Sequence, residues 1–362
     1  MIGTMKAPRK TLFTAIDLFC GCGGLSLGLR RAGFKIVAAI DNDELAAETY
    51  RMNHRRTHLV KDNIQSVDPQ ALMEDLKLKP GDLDLLAGCP PCQGFSTLRT
   101  YNGAKDIDDP MNDLVFEFIR FVKVFLPKTL MMENVPALLK DARLGEIISE
   151  LKLLGYKSNA EILDAAKYGV PQRRLRMILL SSLNAPPSFA MPVRRRRFVA
   201  EAIQRLPSPE ASEDPIHNYR TRRTQNVLSF INRIPKDGGS RTDLPVEDQL
   251  KCHQEFNGFK DVYGRMAWRQ PAPTITGGCI NPSKGRYIHP DEDRAITLRE
   301  AAILQGFPRS YKFNMSKGRY PIAQLIGNAF PPKFAEHHAG ALYRHLEEDL
   351  RTKSRTDQVL KP

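Results

Sequence analysis

The sequence predicts an α/β protein, with a doubly wound, mostly parallel sheet and a second, smaller, irregular and partly β module. Three observations carry that prediction. Short apolar runs alternate with helical periodicity through the first half of the chain. Several of those runs end in a glycine turn or an acid, as strands do at the ligand-binding edge of an open α/β sheet. Beyond about Ala185 the periodicity fades into proline and arginine. With 362 residues, 41% hydrophobic and 26% charged, the chain can bury a large core and fill more than one domain.

Taken in order, Thr14 to Phe19 reads as a first buried strand and Cys20-Gly21-Cys22-Gly23-Gly24 as a tight turn. Leu25 to Ala32 has helical spacing closed by Gly33, and Lys35 to Ile40 is a second strand ending at Asp41. Strand, glycine loop, helix, strand is a cofactor-binding unit, with the acid placed for ribose hydroxyls. The third glycine position of a nicotinamide fingerprint is Ser26 here. Asp17, just before the turn, would face a pyrophosphate badly. It suits a cofactor bearing a positive charge or an amine, and S-adenosylmethionine has both a sulfonium and an α-amino group.

A helical pattern over Asp43 to Asn53 leads to a strand end at Val60 to Ile64. Its acid, Asp62, either binds an adenine amine or caps the next segment. Leu83 to Ala87 is another buried strand, followed by Gly88-Cys89-Pro90-Pro91-Cys92-Gln93-Gly94-Phe95-Ser96, a loop stiffened by two prolines. Thr97 to Pro110 reads as a mobile loop, Leu114 to Phe125 as an amphipathic helix, and Lys128 to Met132 as a strand running into Glu133. After a helix over Asp141 to Leu154, Asn159 to Leu163 and Arg176 to Leu180 read as an antiparallel hairpin. Thr297 and Glu300 form a capping box for a helix over Ala295 to Leu304. Lys333 to Glu348 is the final helix, and Arg351 to Pro362 reads as a charged, disordered tail. The expected division is a discontinuous catalytic domain, 1–185 with 322–362, and a second unit, 186–321.

Net charge is +13, from 54 Lys and Arg against 41 Asp and Glu. Between Gln172 and Arg241 there are 14 basic residues against 5 acidic, so the excess is concentrated, as for a polyanionic partner. Arg194 to Arg197 is either part of that surface or a solvated run. No apolar run is long enough for a membrane span. Met1 to Lys10 lacks a signal-peptide core, so an intracellular protein is expected, and six cysteines need not form disulfides.

Cys92 has four readings. It could be a zinc ligand with Cys20, Cys22 and Cys89, one thiol of a redox pair, a packed thiol, or a nucleophile. Cys89 suits the packed reading. The glycine turn, Glu133 and the basic module favour a nucleophile for Cys92. A thiolate, an acid, a methyl donor and a polyanion groove fit one reaction. Thiolate addition to C6 of a pyrimidine makes C5 nucleophilic, and a carboxyl group assists at N3 and the exocyclic amine of cytosine. A base in a duplex must first be flipped out.

At this point the chain resembles the cytosine-C5 DNA methyltransferases. Asp17 to Gly24, Gly88 to Ser96, Glu133-Asn134-Val135, Gln172-x-Arg174-x-Arg176, Arg294 to Pro308 and Gln324 to Pro332 resemble six of that family's motifs, in the family's order. The resemblance implies a Rossmann-like methyltransferase sheet with a target-recognition domain, S-adenosylmethionine as cofactor (S-adenosylhomocysteine as product) with no metal, and duplex DNA as partner. It implies Cys92 as nucleophile and Glu133, Arg174 and Arg176 as its catalytic companions. Asp17, Phe19, Gly21, Gly23, Gly24, Asp41, Asp62, Ile64, Pro91, Asn328 and Ala329 would meet the cofactor. Gln93, Ser96, Arg194, Arg196, Thr274 and Thr276 would meet DNA. A monomer in prokaryotic or phage-derived cytoplasm, associated with the nucleoid and paired with a restriction endonuclease, is the matching setting. An RNA cytosine methyltransferase and a non-catalytic DNA-binding regulator remain as alternatives. Two positions depart from the family pattern. Met111 stands where an arginine is usual, and Asp41-Asn42 stands where a glutamate and an aromatic residue are common.

Overall fold

In the computed structural model, which describes residues 12–91, 113–219, 223–254 and 260–359, the apolar runs become one seven-stranded sheet. Its strands are β1 (Thr14–Leu18), β2 (Lys35–Ile40), β3 (His58–Val60), β4 (Leu85–Gly88), β5 (Thr129–Asn134), β6 (Lys157–Asp164) and β7 (Leu175–Ser182). The order is β3-β2-β1-β4-β5-β7-β6. The first five strands run parallel, and β7 is antiparallel to both β5 and β6. The expected late hairpin is therefore β6–β7. The chain works outward from β1 in one direction to β3, then restarts at β4 on β1's other side. That reversal makes the gap above β1 and β4 the switch point where ligands settle in such sheets.

Side-chain alternation builds a core on each face. Ile16, Leu18, Leu130, Met132, Met177 and Leu179 face α3 (Pro69–Asp75), α4 (Leu114–Phe125) and α5 (Ala142–Leu153). Ala15, Met131, Ile178 and Leu180 face the other way, onto Leu25 and Leu29 of α1 (Gly24–Ala32), and α2 (Glu44–Asn53) follows β2. Phe334, Ala335, Ala339 and Leu342 of the last helix, Pro332–Val359, join that second core. That helix runs past Arg351 to Val359, where a disordered tail was expected. The stretch from Lys333 to Val359 holds one glycine and no proline, and its many Ala, Glu, Leu, Lys and Arg are good helix formers. No helix among the described residues is long and apolar enough to cross a membrane.

The segment after Ala185 keeps its irregular character. Among the described residues its β content is limited to isolated bridges such as Arg265 with Ile288. Its own small core is Phe230, Ile231, Ile234 and Ile288. Phe230 and Ile231 come from a helix over Gln225–Arg233. Arg265 replaces regular pairing there. It is 0% exposed and donates to the carbonyls of Ile231, Ile234, His289 and Glu292, while pairing with Asp293. A buried guanidinium satisfied on every side ties loops together without a ladder. The two ends of the segment pack elsewhere. Phe189 and Ala190 join the α1 side of the sheet. The helices Leu298–Leu304 and Arg319–Asn328, with Phe307 and Tyr311, share a core with Cys22, Leu27 and Leu45.

Candidate active site

The turn after β1 is held in an unusual backbone. Phe19, Gly21 and Gly23 have φ of 61°, 52° and 92°, a left-handed region that costs a non-glycine residue. Asp41, at the end of β2, clasps the turn. Its two carboxylate oxygens accept from Gly21 N at 2.8 Å and Asp43 N at 2.9 Å. The two glycines then differ. A Cβ on Gly21 would meet nothing within 4 Å, whereas one on Gly23 would lie 2.6 Å from His54 Nε2 and 2.7 Å from Tyr311 Oη. Among the described residues Gly21 thus opens onto free space, whereas the Cβ direction of Gly23 is filled by the His54 and Tyr311 side chains. Gly24 starts α1 and passes close under the carbonyl of Phe330.

Asp17 lies fully buried beneath this turn. Oδ2 accepts from Ser26 Oγ at 2.6 Å, and Oδ1 has no partner among the described residues. Burial raises its pKa from 3.8 to about 7, against the lowering effects of the Ser26 hydroxyl and the Ser26 backbone N–H. A buried carboxylate oxygen left without a donor fits a cationic group brought by a ligand. The open face of Gly21 offers the room. Phe19 is half-buried and packs on the α4 side of the core. Ile64 is turned into that core and its carbonyl accepts from Arg120, so Phe19 supplies the apolar surface at this point. Asp62 is exposed, with Oδ1 turned to its neighbour Asn63 N at 2.7 Å. The cap of the next turn is Asn63, whose side chain accepts from Gln65 N. Ala329 follows the helix Arg319–Asn328 and reaches the Gly24 backbone, which brings it and exposed Asn328 to the same turn.

One strand along, β4 delivers Cys89, Pro90 and half-buried Pro91 to the same edge. Cys92, Gln93, Ser96 and Met111 lie outside the described residues. Beside them β5 ends in Glu133, 8% exposed, which pairs with Arg176 Nε at 2.7 Å. The next residue, Asn134, donates to the carbonyl of Pro90 at 3.1 Å and accepts from Val135 N. It thus fixes the loop two residues before Cys92, a role its place beside Glu133 did not announce. Burial and the nearby Glu133 push the Cys89 thiol well above its ordinary value. Cys20 packs with Ala39 and Tyr50, and Cys22 with Leu325. Among the described residues no group of three or more His, Cys, Asp or Glu side chains is placed to hold a metal ion.

Arg174 is buried and donates to Ile275 O at 3.0 Å. Burial, then the neighbouring Arg176, lowers it to about 9. Gln172 is a latch that sequence reading left without a role. It donates to Gln305 Oε1 at 2.5 Å and accepts from Ile275 N, and Gln305 donates in turn to Ala329 O at 2.6 Å. Thr274 and Thr276 stand on this latch. Their hydroxyls are committed inside the protein, Thr274 to Arg173 O and Thr276 to Tyr287 Oη. The expected DNA contacts through these two hydroxyls therefore have internal competitors, although Thr276 remains exposed. Gly327 lets the latch close, since a Cβ there would lie 2.2 Å from the Thr276 carbonyl carbon. Arg194 and Arg196 are exposed and have no ion pair among the described residues, whereas Arg195 pairs with Glu201.

A doubly wound sheet whose strand order reverses between β1 and β4, with a glycine turn above that point, has the methyltransferase fold. The solved structures agree. A prophage-encoded E. coli protein described as a DNA modification methyltransferase has a TM-score of 0.72 at 24% identity, over 92% of this chain and 99% of that one. The S. pombe Dnmt2 methyltransferase has a TM-score of 0.59 at 20% identity, over 92% and 99%. Sequence comparison narrows the class. The family model for the C-5 cytosine-specific DNA methylase matches residues 13–344. The Type II methylase M.HgiDII of Herpetosiphon aurantiacus is 35% identical, over 92% of this chain and 95% of its own. The Type II methyltransferase M1.HphI of Haemophilus parahaemolyticus is 32% identical, over 91% and 87%. This chain belongs to the C-5 cytosine-specific DNA methylases and is a DNA (cytosine-5)-methyltransferase.

Proposed function

We propose that the protein transfers a methyl group from S-adenosylmethionine to C5 of a cytosine flipped out of a specific duplex DNA sequence. The observation that carries this is the Glu133–Arg176 pair, next to a proline loop whose Pro90 carbonyl is held by Asn134. Cys92, two residues further on, adds as thiolate to C6. Glu133 supports that addition at N3 and the exocyclic amine, oriented by Arg176. Buried Arg174 gives the same corner positive character. C5 becomes enamine-like and would take the methyl group, leaving S-adenosylhomocysteine; the C5 proton then passes to water as the C6–sulfur bond breaks, which restores the ring double bond and frees the Cys92 thiolate.

S-Adenosylmethionine supplies an electrophilic methyl group when bound. Asp17, whose Oδ1 has no partner among the described residues, and Gly21, which faces open space among them, suit the methionyl end. Phe19 would offer its ring to the adenine, Asp41 would hold the ribose, and Asp62 would accept from the adenine amine. Asn328 and Ala329 close the far side, and the product is S-adenosylhomocysteine. Residues 186–321 serve as the target-recognition portion. There exposed Arg194 and Arg196, without an ion pair among the described residues, offer charge for phosphates, so affinity falls steeply with salt. A Type II setting, with a companion restriction endonuclease in a prokaryotic or phage context, fits the relatives named above.

The test is a mechanism trap. The full chain, S-adenosylmethionine and a random-sequence duplex pool carrying 5-fluorocytosine are incubated and run under denaturing conditions. A covalent protein–DNA band that is absent for Cys92→Ala supports the reading. No band with duplex, but a band with an equivalent fluorinated RNA pool, would make the protein an RNA enzyme.

A further inference from the structure

The acid under the glycine turn has a buried support that the reaction described so far does not use. Ser26 Oγ, 2.6 Å from Asp17 Oδ2, also lies 2.8 Å from Tyr50 Oη. All three side chains are 0% exposed. A serine hydroxyl carries one proton. With Asp17 ionised, Ser26 gives that proton to the carboxylate and accepts from Tyr50, so both hydroxyls point toward the acid. The Tyr50 ring is fixed in turn. It stacks on His54 with centroids 4.4 Å apart, and His54 Nε2 lies 3.0 Å from Tyr311 Oη, which donates to Cys22 O at 2.6 Å.

Among the described residues, the titratable groups that face Asp17 are Asp41 beyond β2, Cys20 in the turn, Cys89 after β4 and Tyr50 from the helix Glu44–Asn53. None of them is a cation. Asp17 therefore has one oxygen served by a donor chain and one, Oδ1, with no partner among the described residues.

We propose that Ser26 and Tyr50 are positioning residues that turn Asp17 so that Oδ1 receives the α-ammonium group of S-adenosylmethionine. The proposal rests on the cofactor reading above. It also fixes a proton balance. Near neutrality the free protein holds a proton on Asp17, whose pKa burial raises to about 7. Binding the ammonium group releases that proton to solvent. Affinity should then fall about tenfold for each pH unit below that value and level off above it.

Calorimetry on the full chain between about pH 6 and pH 8.5 tests this with three ligands. S-Adenosylmethionine and S-adenosylhomocysteine carry the amino-acid portion, and 5′-deoxy-5′-methylthioadenosine lacks it. Ser26→Ala should weaken the first two about 10- to 50-fold and Tyr50→Phe about 3- to 10-fold, the range of a hydrogen bond to a charged group. Binding of the third ligand should stay within about twofold, because no charged hydrogen bond to it is lost. Ser26→Ala should also move the midpoint of the pH dependence upward, since it removes a hydrogen bond that stabilises the ionised acid. Equal losses for all three ligands, or an unmoved midpoint, would mean that the pair only shapes the turn, and the proposal fails. Wild-type protein that binds none of the three would overturn the cofactor reading itself. Tyr50→Phe keeps the ring and its stack on His54. It therefore carries the test if thermal melting shows that Ser26→Ala does not fold.

Discussion

The two halves of the carboxyl edge treat their acids in opposite ways. On the β4–β5 side, Glu133 is already paired with Arg176, and its neighbour Asn134 holds the incoming loop. On the β1–β2 side, Asp17 is fully buried, receives one hydroxyl, and leaves its other oxygen without a donor among the described residues. A buried acid with a bound counter-charge is a finished arrangement. One without is unfinished, and its raised pKa is the physical sign of that. The contrast assigns the halves different jobs. The Glu133 half keeps a shape ready for a neutral base, and the Asp17 half waits for a charge that the ligand must bring.

The largest effect should come from breaking the finished half. Glu133→Gln keeps size and polarity but removes the carboxyl proton chemistry. Methyl transfer to duplex DNA, followed with radiolabelled cofactor, should fall about 10²- to 10⁴-fold, the usual range for a positioned acid–base group. Cofactor affinity should barely change, because the substitution lies on the other half. A rate within threefold of wild type would remove Glu133 from the mechanism.

Breaking the unfinished half should give a smaller effect with an unusual sign. The folded pKa of Asp17 is raised from 3.8 to about 7. Between those values the folded state holds a proton that the unfolded state has lost, so stability falls as pH rises through the window. By pH 8 the ionised buried acid costs on the order of 2–4 kcal/mol. Asp17→Asn should therefore make the cofactor-free protein more stable than wild type at pH 8 by roughly that amount. The gain should shrink toward pH 5, and the variant should lose cofactor affinity. Chemical denaturation at the two pH values checks it. A variant destabilised equally at both would show that Asp17 is structural and not reserved for a ligand.

Much of this edge was legible in the sequence, for a physical reason. Buried parallel strands must be short apolar runs, and acids such as Asp17, Asp41 and Glu133 stand at their ends, where the ligand edge lies. What could not be read depends on partners far apart in the chain. Gln172 meets Gln305 across 133 positions, and nothing local to either predicts it. Ser26 looked like a failed glycine, and only the fold sets it between Asp17 and Tyr50. The module after Ala185 resisted because Arg265, not periodicity, holds it together. Its helix at Gln225–Arg233 and the helix at Arg319–Asn328 were missed because both are short, nine and ten residues, and short helices give a weak local signal.

The smallest effects should separate two glycines only two positions apart. Both have positive φ, so alanine strains the backbone at either by about 1 kcal/mol. At Gly23 the added methyl group also meets His54 and Tyr311, which are pinned to each other and to the Cys22 carbonyl. Neither ring can yield without breaking a buried hydrogen bond. Gly23→Ala should therefore lose about 2–4 kcal/mol of stability, as overpacking adds to strain. Gly21→Ala should lose only about the strain term, because its methyl group enters open space. That same space is where the cofactor reading puts the methionyl group. Gly21→Ala should therefore show the larger loss of S-adenosylmethionine affinity for each kcal/mol of stability lost, and Gly23→Ala the smaller. Measuring melting and cofactor binding on both variants decides the point. If Gly21→Ala binds cofactor like wild type, the space before Gly21 is not the cofactor's.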